Sequence, residues 1–305
     1  MTDKNIEVYQ KLNSGHPVKL VFQLTYRGCC SEINGMLSAM LYCLMHDIEF
    51  ILYSKKWTNG FRHGWNDYFR PFCKECKNPL FFRDSVFSVN GKIKVLNYIQ
   101  KKLYRRHLNA HDIWIELNNP SFLGNTFVIP ELGINGGIEE AKRVLLDIVF
   151  KCNEAVGHAL HLHDEKMNQM KTYVGIHIRR GDKVKGRSKE AEAFPVESYI
   201  EQIIKVAPQI SNVFIATDDY QTIEEFKSVC PPHWKVFTFS QPNCAGYQQG
   251  AFNCLSADKK RKETIDLLID LNFLANANFM VGTGSSNVCK LISLLRGQDH
   301  IYSLD

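Results

Sequence analysis

The sequence of 305 residues lacks the short signatures that identify many enzymes at sight. It has no GxxxxGK[ST] phosphate loop and no GxSxG nucleophile elbow, which excludes P-loop nucleotide hydrolysis and elbow-type serine-hydrolase chemistry. The turn YRGCCSEING at 26–35 is not a GxGxxG fingerprint, since it carries glycine only at Gly28 and Gly35. The sequence has no DxD pair, so Asp218 and Asp219 stand without a further acid for a metal. The ten cysteines form no zinc pattern, because Cys73 and Cys76 make a lone CxxC with no second pair or nearby His pair. No run approaches the roughly 20 apolar residues of a membrane span. The first ten residues, MTDKNIEVYQ, are polar and of mixed charge rather than a secretory leader. The cysteines therefore read as free thiols in a reducing compartment, with only a bridge near Cys73 and Cys76 left open, and the expected location is the cytoplasm. A net charge of +5 is too small and too dispersed for a nucleic-acid binder, although it suits an acidic ligand.

What is present is an ordinary globular composition, 45% hydrophobic and 23% charged, with length enough for two cores. Residues 18–25 (VKLVFQLT) read as a buried strand, 36–46 as a helix and 49–53 as a second strand, the β-turn-α-β start of a Rossmann-like domain. Residues 54–135 read as short helices and loops finishing that domain. Residues 138–170 have a long helical periodicity leading to the next. From 171 onward the alternation is regular: strand 173–178, helix 196–206, strand 213–217, helix 221–229, strand 235–239, helix 260–275, strand 279–282 and helix 287–295. Such alternation predicts a parallel, doubly wound sheet, and ligands bind such sheets outside the carboxyl ends of the strands.

Three of those strand ends carry suggestive residues. The first is VGIHIRRGDKV at 174–184, where an apolar strand runs into two adjacent arginines. Arginine at such a position needs a planar anion. Either internal carboxylates supply it, or the strand end awaits a phosphate. Alternation puts His177 and Arg179 on one face. The RGD tripeptide within this stretch is by itself only a weak adhesion signal. The second is VGTGSSNVCKL at 281–291, in which Ser285 and Ser286 suit a helix N-cap; beside an arginine, its free amides would form the other half of a phosphate site. The third is Asp218-Asp219 after VFIAT, where a helix cap, or a structural or sugar-hydroxyl role, is preferred to metal binding.

Together these stretches resemble the α1,6-fucosyltransferase family, which makes core fucose on N-glycans and includes the nodulation fucosyltransferases of bacteria. Residues 174–184 are similar to its Gly-Val-His-Val-Arg-Arg-x-Asp-Lys signature. FPVESY followed by VFIATDD resembles its second block, and RKETIDLLIDLNFLANANFMVGTGSSNVCKLI its third. Near the N-terminus, YRGCCSEINGMLSAMLYCLMHDIEFILYSKKW and GWNDYFRP resemble its first nucleotide-facing turn and the loop beyond it. The arginine motif alone would be shared with α1,2- and protein O-fucosyltransferases, and the four ordered blocks favour the α1,6 group.

The resemblance implies an α/β, GT-B-like fold of two Rossmann-like domains facing across a cleft. The expected division is an acceptor-side domain at 1–170 and a nucleotide-sugar-binding domain at 171–305. It implies an inverting glycosyltransferase that moves fucose from GDP-fucose to a glycan hydroxyl, with no metal and no other cofactor. His177 and Asp270 would contact guanine, and Arg179 would hold the β-phosphate with Ser286, Asn287 and the backbone near Gly28. Tyr199, Asp218 and Asp219 match further positions on the donor side, and Arg180, Asp182 and Lys183 on the catalytic side. The base would lie in KGRSKEAEAF, where Glu192 aligns best, with Glu190 close behind and Asp182 next. The family's Gln after the second serine is Asn287 here, and its membrane anchor, coiled-coil stem and SH3-like domain have no counterpart in these residues. The chemistry agrees with this implication. A nucleoside diphosphate leaving group without a metal needs guanidinium and helix-terminus amides to absorb its charge, and an acceptor hydroxyl needs a carboxylate to take its proton. The alternatives are a transferase of the same fold with another nucleotide-sugar donor, and a nucleotide-sugar-binding module without catalysis.

Overall fold

The computed structural model describes residues 2–77, 107–185, 189, 192–297 and 299–305. The chain divides into two compact units, Met1–Asn153 and Glu154–Asp305, and each is built on a parallel sheet.

In the first unit, helix α1 (Thr2–Leu12) precedes β1 (Val18–Gln23), α2 (Cys29–Met45) and β2 (Ile48–Tyr53). β1 and β2 pair in parallel from Val18↔Ile48 to Gln23↔Tyr53, the start that the apolar pattern predicts. Helix α2 begins earlier than its apolar spacing suggests, directly after Gly28. The polar residues that read as a turn lie in its first turn, where the buried Glu32 carboxylate accepts from the Thr25 N–H at 2.8 Å and the Thr25 hydroxyl at 2.6 Å. Residues 54–77 owe their order to buried aromatic rings, including Trp57, Trp65, Tyr68, Phe69 and Phe72; Trp65 and Phe69 stack with centroids 4.3 Å apart. Beyond lie β3 (His107–Asn109), parallel to β1, the one-turn helices α3 (Trp114–Leu117) and α4 (Pro120–Leu123), and the hairpin of β4 (Phe127–Ile129) and β5 (Ile134–Gly136). Strands of three residues are too short to show alternation in a sequence.

The second unit contains β6 (Val174–Ile178), α8 (Val196–Val206), β7 (Asn212–Thr217), α9 (Gln221–Val229), β8 (Lys235–Phe237), α10 (Gln249–Asn253), α11 (Ala257–Asn276), β9 (Phe279–Gly282), α12 (Asn287–Arg296) and β10 (Ile301–Ser303). All its strands run parallel in the order β10-β9-β6-β7-β8. Val174, Ile176 and Ile178 face one side of the sheet, where they pack with Val213, Ile215 and Val281 against Tyr199, Ile200 and Ile203 of α8 and Ile223 and Phe226 of α9. Each such side chain contributes roughly 1.5–3 kcal/mol by burial. The odd-numbered residues of β6 face α11 and α12. A Cβ on Gly175 would stand 3.0 Å from Ala277 Cβ and 3.2 Å from Leu274 Cδ2, and His177 Nδ1 lies 3.6 Å from Cys289 Sγ.

The long periodicity over 138–170 is three helices, α5 (Ile138–Val149), α6 (Glu154–His161) and α7 (Asp164–Met170). The first break has a definite cause. The Arg70 N–H donates to the Lys151 carbonyl at 2.7 Å and the Asn153 N–H to the Tyr68 carbonyl at 2.9 Å, and Phe69 bridges to Cys152. Backbone groups committed to that pairing cannot continue a helix. The two compact units meet in sequence at this break, and α6 packs on α11 within the second unit. Among the described residues no helix is long and apolar enough to cross a membrane. All ten cysteines are free thiols, Cys73 and Cys76 included.

Candidate functional site

The chain leaves β6 for β7 and β8, then returns to β9 on the other side of β6. β6 and β9 therefore flank the point where the winding reverses, and the crevice outside their carboxyl ends is where such sheets take ligands. β6 ends at Arg179-Arg180-Gly181-Asp182 and β9 at Thr283-Gly284-Ser285-Ser286, so topology brings two of the sequence-predicted motifs side by side.

The turn after β6 is built around Asp218, which follows β7. Its Oδ1 accepts from the Arg180 N–H at 2.8 Å, and its Oδ2 from the N–H groups of Gly181 at 3.0 Å and Tyr247 at 3.1 Å. The Gly246 N–H donates to the Asp218 carbonyl at 2.7 Å. Segment 244–249 is thereby laced to the turn, and the Asp182 N–H closes the contact by donating to the Tyr247 carbonyl at 2.9 Å. A side chain at position 181 would collide with that carbonyl, so only glycine admits this approach. Asp182 Oδ2 in turn accepts from the Gln249 N–H at 2.8 Å.

Arg179 answers the question its sequence raises with internal carboxylates. Its Nη2 lies 3.3 Å from Asp182 Oδ1 and its Nε 3.4 Å from Asp218 Oδ2. These distances exceed the roughly 2.7–2.9 Å of a strong charge-assisted bond, whereas the same carboxylates hold backbone N–H groups at 2.8–3.1 Å. The carboxylates are committed to the backbone and grip the guanidinium loosely. Arg179 keeps donor capacity for an incoming anion, and the Tyr247 ring lies 5.0 Å from its Cζ.

Arg180 turns to the opposite face. It lines a recess of about 210 Å³ with Pro195, Val196 and Glu197 of the α8 start and Glu225, Ser228 and Val229 of α9; among the described residues it has no ion-pair partner. Tyr199 is buried on that same face, its hydroxyl 3.4 Å from Thr283 Oγ1, and burial raises its pKa. The two arginines therefore do not share one ligand face.

His177 is buried, and burial, aided by the Arg179 charge and opposed by Asp218, pushes its imidazole down to about 4. It is neutral near neutral pH. Asp270 of α11 is the outlier: its Oδ1 is shielded from solvent and has no hydrogen-bond partner among the described residues. Burial, with Asp266 adding, pushes its carboxyl up to about 8. Such an acceptor is costly unless a donor arrives.

At β9, Ser286 caps α12, its Oγ accepting from the Val288 N–H at 3.3 Å, and Asn287 is the first helical residue. The Gly284 and Ser285 N–H groups already donate to Asp305, at 2.6 and 3.2 Å. Asp219 behaves as a local cap, its Oδ1 accepting from the Gln221 N–H at 3.2 Å. Lys183 lies half-buried in the turn after Asp182. Glu192 is exposed and pairs with Lys189 Nζ at 2.8 Å, and Glu190 lies outside the described residues. Gly28 sits in the first unit at the α2 N-terminus, its carbonyl accepting from the Glu32 N–H at 3.1 Å. The sequence reading missed Tyr247 and Asp305; the glycine of AGYQQG was the one available sign of a tight segment at 244–249. Among the described residues no three His, Cys, Asp or Glu side chains cluster as metal ligands.

A family model described as alpha-(1,6)-fucosyltransferase N- and catalytic domains matches residues 143–298, just over half of the chain. The solved fucosyltransferase NodZ from Bradyrhizobium is similar over 92% of this chain and 94% of its own, at 15% identity and a TM-score of 0.56. NodZ α-1,6-fucosyltransferase soaked with GDP-fucose gives 14% identity over 91% and 92%, with a TM-score of 0.55. POFUT1 in complex with GDP gives 10% identity over 96% and 100%, with a TM-score of 0.53. At these identities the likeness is one of fold, the GT-B architecture of two units with parallel sheets.

Proposed function

The chain belongs to the α1,6-fucosyltransferase family and is a glycosyltransferase, and from that premise we propose that it transfers fucose from GDP-fucose to a glycan hydroxyl, with inversion and without a metal. The observation that carries this reading is the juxtaposition of the Arg179 turn and the Ser286 helix start at the reversal of the sheet's winding. In this reading Arg179 donates two parallel hydrogen bonds to the diphosphate and the start of α12 adds its amides and dipole. Both stabilise charge that grows on the leaving group. Neutral His177 and the unpartnered Asp270 carboxyl face guanine, whose N1 and N2 hydrogens supply the donors that Asp270 lacks. Glu192 takes the acceptor's proton, and one displacement at the anomeric carbon inverts it. Arg179 and the missing DxD motif support the metal-free form, and the free thiols support action in a reducing compartment such as the cytoplasm. The second unit is assigned to the nucleotide sugar and the first to the acceptor.

The test is a donor screen with purified protein. Hydrolysis of GDP-fucose should exceed that of other GDP-sugars and of UDP-sugars, and should persist in EDTA. Preference for another donor overturns the fucosyl assignment, and loss in EDTA with recovery on manganese overturns the metal-free one. Glu192→Gln should keep GDP affinity while lowering transfer by about 10²–10⁴-fold. Wild-type turnover in that variant moves the base to Glu190 or Asp182.

A further inference from the structure

We propose that Tyr247 is a positioning residue for nucleotide binding: its ring holds the face of the Arg179 guanidinium so that the guanidinium edge meets the diphosphate squarely. This rests on the reading of Arg179 as the phosphate ligand. The ring centroid lies 5.0 Å from Arg179 Cζ, inside the roughly 6 Å over which a cation is drawn to an aromatic face. A ring differs from a carboxylate in what it consumes. Asp182 and Asp218 approach the guanidinium at Nη2 and Nε, and each such contact occupies an N–H that a phosphate would use. The ring engages the π face and itself takes up none of the five N–H groups.

The ring can do this because its backbone is fixed on both sides. The Tyr247 N–H donates to Asp218 Oδ2 at 3.1 Å, the Tyr247 carbonyl accepts from Asp182 at 2.9 Å, and Gly246 takes φ +88° to make the approach. Tyr247 also rests on Phe252, at 5.6 Å between centroids. The residue is held by two backbone hydrogen bonds that a side-chain substitution leaves in place, so these variants keep the segment and change only the face.

The experiment compares Tyr247→Leu and Tyr247→Phe with the wild type by calorimetry against GDP and against guanosine, with thermal melting alongside. Leucine keeps bulk and loses the π face; phenylalanine keeps the face and loses the hydroxyl. Tyr247→Leu should weaken GDP about three- to tenfold and leave guanosine unchanged, because guanosine carries no phosphate for Arg179. Tyr247→Phe should match the wild type for both. Equal losses for GDP and guanosine mean a merely structural role and overturn the proposal, as does unchanged GDP affinity in Tyr247→Leu or a Tyr247→Phe that behaves like leucine. A wild-type protein that binds neither GDP nor pyrophosphate overturns the phosphate reading of Arg179 itself, and this inference falls with it.

Discussion

Asp218 and Asp270 belong to the same unit and to the same expected donor site, yet they are provided for in opposite ways. Asp218 accepts from three backbone N–H groups and touches a guanidinium. Asp270 has a shielded oxygen with no donor among the described residues. A saturated carboxylate has no valence left for a ligand and acts as scaffold. An unsaturated one is a standing cost that only a binding partner removes. The same contrast separates Arg179, loosely held with donors to spare, from Asp219, which spends an oxygen on the nearest helix N-terminus. Within the expected site, hydrogen-bond saturation separates groups committed to the fold from groups that the proposal turns toward a ligand, a division that motif membership does not make.

The largest effect should follow from removing the ligand-facing cation while leaving its scaffold intact. Arg179→Ala should weaken GDP by about 2–5 kcal/mol, the worth of a charge-assisted contact truncated on one side. Arg179→Lys should fail as well, because one ammonium cannot supply a parallel pair. Calorimetry that finds GDP affinity within threefold of wild type would place the phosphate elsewhere.

Next comes the unsaturated carboxyl. Asp270→Ala should weaken GDP by about 1.5–3 kcal/mol, the range for a hydrogen bond to a charged group, and leave any UDP affinity unchanged. Equal losses for the two nucleotides would make Asp270 structural. The carboxyl's rise to about 8 adds a pH signature. Its folded pKa lies above the unfolded value, so between about pH 4 and pH 8 the folded state holds a proton that the unfolded state has released. Stability therefore falls as pH rises through that window. Guanine needs the ionised form, so GDP binding below pH 8 should expel a proton and affinity should climb toward pH 8. Calorimetry in buffers of different ionisation enthalpy counts that proton, and Asp270→Asn should abolish both trends.

Much of this unit was legible in the sequence because its elements are buried in a patterned way. Helices α8 and α9 and strand β9 fall where the spacing of apolar residues puts them. β10 and β3 were not legible, since three residues carry no period of their own; β8 is equally short but begins the longer run KVFTF at 235–239 that the sequence shows. The break at 150–153 depends on partners at 68–70, which no local pattern reveals. The site divides likewise. Arg179 and Ser286 announce themselves by residue type at a strand end. Asp218 reads as a helix cap beside Asp219, and only the fold turns it back onto the amides of Arg180 and Gly181. Tyr247 meets Arg179 only because Gly181 and Gly246 let two distant turns approach.

Scaffold should respond to the opposite assay. Asp218→Asn keeps one acceptor oxygen but turns an amide toward N–H donors, so it should cost about 1–3 kcal/mol of stability. The reading is a lower urea midpoint with an unchanged slope. Its effect on GDP should be secondary, through the orientation of Arg179. A variant as stable as wild type would show that the carboxylate is not the brace of the turn.

The smallest effect is expected at Asp305, the carboxylate that saturates the other strand end. It accepts from the N–H groups of Gly284 and Ser285 and from the Ser303 hydroxyl at 2.6 Å. Burial would raise its pKa, yet these bonds with the Ser285 hydroxyl outweigh it and hold the carboxyl down at about 2. A folded pKa below the unfolded value gives stability that is present above about pH 4 and lost as pH falls toward 2, so the contribution is constant across neutral pH. The site is largely open to water, which screens it, and Asp305→Asn should cost at most about 1 kcal/mol. As scaffold, it should also leave GDP affinity within about twofold, because Ser286 and the α12 start keep their own bonds. A tenfold gain in GDP affinity in Asp305→Asn would break the comparison. It would mean that the carboxylate occupies amides the diphosphate wants, and that saturation at this strand end is competition rather than bracing.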